Sequence, residues 1–79
     1  MMTSFESGLL SALAAEGRPE AMVNAIKFAD SKNYEDVFAA VMEMENKNYI
    51  KLVYCQFPTV INVQLTLVGK EAYATQSHT

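Results

Sequence analysis

The first half of the chain carries apolar residues at helical spacing in three successive stretches. Four of them share one helical face near the amino terminus: Phe5, Leu9, Leu10 and Leu13. Thr3, with Glu6 three residues later, has the pattern of a capping box, and Gly17 suits the left-handed position after a helix. The pattern therefore predicts a first helix between Thr3 and Gly17.

Two further helices are predicted before the middle of the chain. The first would begin at Pro19, because proline is favoured in the first turn of a helix. Its apolar side would be formed by Met22, Val23, Ile26 and Phe28. Asn33 is predicted to cap the next helix, which has acidic residues in its first turn and is expected to stop at Lys47-Asn48. The buried stripe of that third helix would consist of Val37, Ala40, Val41 and Met44.

After Asn48 the apolar period changes from helical to two, which predicts a hairpin. Residues 49–57 are rich in β-branched and aromatic side chains and form the first strand, and Pro58-Thr59 turns the chain. Residues 60–66 form the second strand. Its inward face would carry Ile61, Val63 and Leu65.

The chain closes on one more short helix. Thr66 is predicted to cap this helix, which runs from Leu67 to about Thr75, and residues 76–79 are a polar tail or the start of a linker. Three helices, a two-stranded hairpin and a short final helix follow the order of a winged helix, in which the hairpin is the wing. Because 79 residues leave no room for a second core, we expect one α+β winged-helix domain over residues 1–79.

In two segments of the chain, particular residues occur at the spacing found in a known protein family. Within residues 33–50 it is carried by Val37, Ala40, Val41 and the pair Tyr49-Ile50. At the end of the chain it is carried by Leu65-Thr66, Gly69 and Gln76-Ser77-His78. In both segments the chain resembles the first appended domain of the α subunit of eukaryotic and archaeal cytosolic phenylalanyl-tRNA synthetases. The sequence departs from that family's pattern at Tyr34, Glu35, Ala39, Met42 and Val68.

The resemblance implies a role in protein biosynthesis. The parent enzyme would join phenylalanine to its tRNA with ATP and magnesium, and its catalytic domain would lie far downstream. This chain would be a non-catalytic piece that helps to engage tRNA, next to other domains or subunits of the synthetase. Such a domain would need no cofactor of its own.

The charge pattern bears on the nucleic-acid partner. The formal net charge is −3, whereas domains that hold duplex DNA by its phosphates are usually basic, so we do not expect free DNA as a partner. The predicted third helix is itself acidic. Lys32 and Lys47 flank it and Lys51 begins the wing, so these three lysines could line one edge that contacts an RNA backbone. The alternative is that they are scattered, solubilising lysines.

The sequence offers little material for catalysis or metal binding. Cys55 is the only cysteine and His78 the only histidine, so no internal disulfide forms and no zinc-ligand spacing exists. The three glycines are scattered and form no phosphate loop. We therefore predict no catalytic residue and no metal site. The amino terminus lacks a signal-peptide pattern, and no stretch reaches the length of a membrane span, which leads us to expect a cytoplasmic protein without membrane contact.

A second class of function is a winged helix that binds protein, within a transcription or scaffold complex. The predicted wing places Phe57-Pro58 and Val60-Ile61 where DNA-reading wings usually carry arginine or lysine. An exposed apolar tip is typical of a protein contact, and burial of Phe57 and Ile61 in the core is the alternative. Tyr54 and Tyr34 either stack on nucleic-acid bases, or pack their rings against the domain with their hydroxyl groups exposed to water. A free-standing DNA-binding regulator is the third candidate function, after the tRNA-engaging domain and the protein-binding module.

Overall fold

The structure is a computed structural model that describes residues 2–56 and 59–77. Its elements in chain order are α1 (Ser4–Glu16), β1 (Glu20–Asn24), a 3₁₀ helix (Ala25–Phe28), α2 (Tyr34–Asn46), β2 (Ile50–Gln56), β3 (Val60–Leu65) and α3 (Leu67–Ser77). The strands form one antiparallel sheet in the order β1-β3-β2. Over the described residues the protein is thus a small α+β domain with three α-helices and a three-stranded sheet.

The predicted ends of the first and third helices are confirmed. Thr3 and Glu6 form a reciprocal capping box, in which the Thr3 amide donates to Glu6 Oε1 at 2.9 Å and the Glu6 amide donates to Thr3 Oγ1 at 3.1 Å. Gly17 ends α1 with a φ of 69°. Asn33 Oδ1 accepts hydrogen bonds from the first amides of α2, and Asn48 adopts a left-handed φ of 64° just beyond its end.

The predicted second helix is wrong over most of its length. Residues Glu20–Asn24 form β1 instead, and only Ala25–Phe28 coil into a single 3₁₀ helix. Ala21 is buried and Met22 exposed, which is the alternation of a strand that covers a core with one face. Because β3 offers a second edge for pairing, β1 adds to the sheet in register with it. The sheet therefore has three strands, where the sequence alone predicted two.

The hairpin and the last helix agree with the prediction within the described residues. Ile61 and Val63 are buried and Leu65 is half-buried, so the predicted inward face of β3 is confirmed. Phe57 and Pro58, which the prediction placed in the wing and its turn, lie outside the described residues. Thr66 caps the last helix through a hydrogen bond that its Oγ1 accepts from the Gly69 amide at 2.9 Å. That helix, α3, extends to Ser77, so Gln76 and Ser77 continue the helix where the sequence predicted a polar tail, and the rest of that tail lies outside the described residues.

One apolar core joins the sheet to the helices. α1 packs against α3, the 3₁₀ helix, α2 and β3, and α2 also contacts β2. The largest fully buried side chains are Leu9, Leu10, Val37, Val41, Met44, Ile50, Ile61 and Val63. Val37, Val41 and Met44 of the predicted α2 stripe are buried, whereas Ala40 is only partly covered. The opposite side of α2 remains open to solvent.

Candidate interaction surface

Lys32 lies in the loop before α2, where it stabilises the preceding turn. Its Nζ donates to the carbonyl oxygens of Ala29 at 2.9 Å and Ile26 at 3.1 Å. These carbonyls lie at the end of the 3₁₀ helix, where a cation is favoured; the Ile26 carbonyl also accepts the Ala29 amide at 3.3 Å. The ammonium group is thus held by the backbone of the same chain.

Lys47 forms an ion pair with a buried carboxylate. Its Nζ lies 2.8 Å from Oε2 of Glu6, whose side chain is only 3% exposed. The other oxygen of the same carboxylate accepts the Thr3 amide in the capping box of α1. The pair therefore joins the start of α1 to the end of α2, and its lysine has a structural role.

Two opposing effects set the pKa of Glu6. Burial by itself raises this pKa, but hydrogen bonds and charge attraction from Lys47, together with hydrogen bonds from Thr3, outweigh it, so the pKa of Glu6 lies below its ordinary value of 4.5. The same pair raises the pKa of Lys47 above its ordinary value of 10.5, chiefly through the hydrogen bond to Glu6.

We expect the Glu6 carboxylate to make stability depend on pH in the acid range. Because its pKa is lower in the folded state, its contribution is complete above about pH 4.5 and is lost as the pH falls through the folded pKa. At pH 7, Glu6→Gln should cost about 1.5–3 kcal/mol, the usual value of hydrogen bonds to a charged group. Urea unfolding from pH 7 to pH 3 should show the wild type losing this advantage over Glu6→Gln. Glu71→Gln, on an exposed part of α3, is the control, and parallel pH curves for wild type and Glu6→Gln would contradict the prediction.

The three lysines predicted to form one contact edge are spread over the surface. Lys32 and Lys47 lie beyond opposite ends of α2, which at 13 residues is about 20 Å long. Lys51 is exposed on β2, opposite Gln64 of β3. Of the three, Lys51 alone keeps an ammonium group for which the described residues show no hydrogen bond or ion pair.

The open side of α2 combines apolar and acidic side chains. Tyr34 is 55% and Phe38 41% exposed, and Met42 follows at the same helical spacing with partial exposure. Glu35 and Glu43 are exposed on the adjoining row. No lysine or arginine occurs between Tyr34 and Asn46. The sequence contained this second apolar row at i, i+4 and i+8, but the stronger stripe formed by Val37, Val41 and Met44 obscured it.

The remaining predicted contacts lie on the sheet. Tyr54 is exposed on β2 in line with Asn62 of β3 and Met22 of β1, on the face turned away from the core. At the described end of the hairpin, Ile61 is buried, and Thr59 is buried with its hydroxyl donating to Asn24 Oδ1 at 2.7 Å. Ile61, which the sequence placed in an exposed apolar tip of the wing or in the core, therefore belongs to the core.

Two of the open pockets lined by described residues accompany these surfaces. One, of about 450 Å³, lies at the end of α1 between Leu13, Pro19 and Leu65, with Arg18 and Lys70 at its rim. The other, of about 160 Å³, lies between Phe5, Ala29 and the Val37 side of α2, and it includes Asp30 and Asp36. Only the first brings two cations together.

The described residues contain no cluster of three His, Cys, Asp or Glu side chains that could hold a metal ion. Cys55 is an exposed, free thiol on β2. None of the described helices combines the length and apolar character needed to span a bilayer.

Comparison with protein-family models, with curated proteins and with solved structures finds no match for this chain.

Proposed function

We propose that this chain is a winged-helix domain that serves as a non-catalytic binding module and whose partner is a protein. The order of elements supports the fold. A strand between α1 and the 3₁₀ helix pairs with the second strand of the hairpin, and α2 follows in the place of a recognition helix, with the 3₁₀ helix in the place of the second helix.

The exposed face of α2 supports a protein partner. Glu35 and Glu43 would approach phosphate groups if α2 entered a major groove, which opposes binding to a duplex. An exposed aromatic side chain such as Phe38 is instead typical of the anchors of protein interfaces. This combination of apolar and acidic side chains on one helix is the observation on which the proposal rests.

Site-specific photocrosslinking tests the proposal. We expect benzoyl-phenylalanine in place of Phe38 to yield an adduct in cells that express the full protein, because a bound partner would lie within reach of the ring. The adduct should be removed by protease and should survive nuclease. The same label in place of Val68, a residue of α3 with matched exposure of 42% against 41%, is the control. An adduct no stronger than at Val68 would contradict the proposal.

A second candidate is the appended tRNA-engaging domain of a phenylalanyl-tRNA synthetase α subunit. The pocket lined by Arg18 and Lys70 favours it, because two cations at one site could contact an RNA backbone, with exposed Lys51 as a further contact. Arg18 would exchange its long, exposed ion pair with Glu16, at 3.9 Å, for a phosphate group. ATP and magnesium would belong to the parent enzyme only. In the photocrosslinking experiment, a Phe38 adduct that nuclease removes would favour this candidate over a protein partner.

A further inference from the structure

The carboxyl-terminal end of α2 is attached to the sheet, which fixes the orientation of the helix. Glu45 lies seven residues after Phe38, on the same helical side, and its Oε2 accepts the Leu52 amide of β2 at 2.9 Å. β2 is an edge strand of the sheet, and the Glu45 carboxylate accepts a hydrogen bond from the Leu52 amide, a donor on that edge. This hydrogen bond joins the last turn of α2 to β2 and leaves the outer rows of the helix, at Phe38 and Met42, facing solvent.

We define the α2 face as Tyr34, Glu35, Phe38, Ala39, Met42 and Glu43. Phe38 and Met42 form an apolar row, and Glu35 and Glu43 form an acidic row beside it. Ala39 lies between the two glutamates, and its small side chain leaves room for another helix to approach the 8–10 Å axial distance of close helix packing.

The carboxylates of this face form no ion pair among the described residues, although the charge of Glu43 also acts on the ammonium group of Lys47, four residues later. The ion pairs among the described residues use Glu6 and Glu16. Glu35 and Glu43 have exposed side chains on a chain whose net charge is −3. A partner that covers Phe38 and Met42 would therefore be favoured by positive charges beside its apolar residues.

We propose that the α2 face binds a basic amphipathic helix of the partner protein, an inference that rests on the proposed function. The apolar residues of that helix, spaced i, i+3, i+4 and i+7, would cover Phe38 and Met42. Its flanking lysines or arginines would pair with Glu35 and Glu43. The length of α2, about 20 Å, accommodates three to four turns of such a helix.

Three synthetic peptides test this inference on the full 79-residue chain. The probe is a 14-residue peptide of leucine and lysine with an apolar face, in the order LKKLLKLLKKLLKL. The first comparison peptide has glutamate for every lysine, and the second has the same leucines and lysines reordered so that no apolar face forms. Amide shifts of the ¹⁵N-labelled protein should move at residues 34–46 with the probe, and much less with either comparison peptide.

Matched variants separate the apolar from the electrostatic contribution. Phe38→Ala with Met42→Ala should weaken binding of the probe about tenfold or more, whereas Val68→Ala should leave it within about twofold. Glu35→Gln with Glu43→Gln should weaken it about tenfold at low salt and reduce its salt dependence. Glu16→Gln with Glu71→Gln changes the net charge equally and should have an effect within about twofold.

The inference is overturned if the Glu16/Glu71 pair weakens binding as much as the Glu35/Glu43 pair, because attraction would then come from overall charge. It is also overturned if the shifts map away from α2, or if sedimentation shows a dimer that Phe38→Ala dissociates, since a second copy would then occupy the face. If no peptide binds while Phe38 still gives a protein adduct in cells, the basic helix is wrong and the proposed function stands. If both experiments fail, both are wrong.

Discussion

Replacing Gly69 by alanine is expected to remove more than half of the protein's folding stability. An added Cβ would lie 2.1 Å from the carbonyl oxygen and 2.9 Å from the carbonyl carbon of Tyr49. These are backbone atoms at the entry to β2, and the Thr66 hydroxyl also donates to the Tyr49 carbonyl, so neither side can move without releasing α3 from the sheet. We expect a loss of about 3 kcal/mol or more, from a total stability that is about 5 kcal/mol for a domain this small.

Gly17→Ala is the matched control. Gly17 has a φ of 69°, but nothing lies within 4 Å of an added Cβ, so the cost should come from backbone strain alone and be about 1 kcal/mol. Urea unfolding followed by circular dichroism measures both variants. Equal losses at the two positions would show that the close approach of α3 to Tyr49 does not constrain the fold.

A buried charge at Val63 should be at least as damaging. Val63 is fully buried on β3, the central strand, opposite Ala21 on one side and Leu52 on the other. An aspartate there has no described cation beside it, so its desolvation should cost several kcal/mol and Val63→Asp should populate the unfolded state at room temperature.

The same substitution at Val53 is the control for Val63→Asp. Val53 is 44% exposed at the irregularity of β2, so an aspartate there remains hydrated, and we expect a loss below about 1 kcal/mol. Thermal melts of the two variants give the comparison. A folded Val63→Asp variant with a melting temperature near that of Val53→Asp would mean that the inward face of β3 is assigned incorrectly.

The sequence by itself determined the features that depend on near neighbours. The capping box at Thr3, the left-handed Gly17 and the Asn33 cap each involve atoms within a few residues, so local patterns were sufficient to predict them. The alternation of β3 was predictable because one face of this strand meets the core while the other does not.

Tertiary structure decided the secondary structure of residues 20–24, which form a strand and not a helix. Met22, Val23 and Ile26 have a spacing that fits a short helix, and Pro19 suits a helix start. Pairing with β3 supplies backbone hydrogen bonds along the strand, and this long-range gain outweighs a weak local helix preference. The partner strand lies about 40 residues away in sequence, and the apolar periodicity of residues 20–24 contains no information about a pairing at that distance.

Tertiary structure also decided the roles of the charged residues. In the sequence Lys32 and Lys47 were both cations that flank a helix and equally free to contact RNA. In the fold one donates to backbone carbonyls and the other pairs with Glu6, 41 residues earlier in the chain. Composition gives the number of charges, but only the folded chain determines which of them have partners within the molecule, as Lys47 has through the packing of α1 against α2, and which remain exposed.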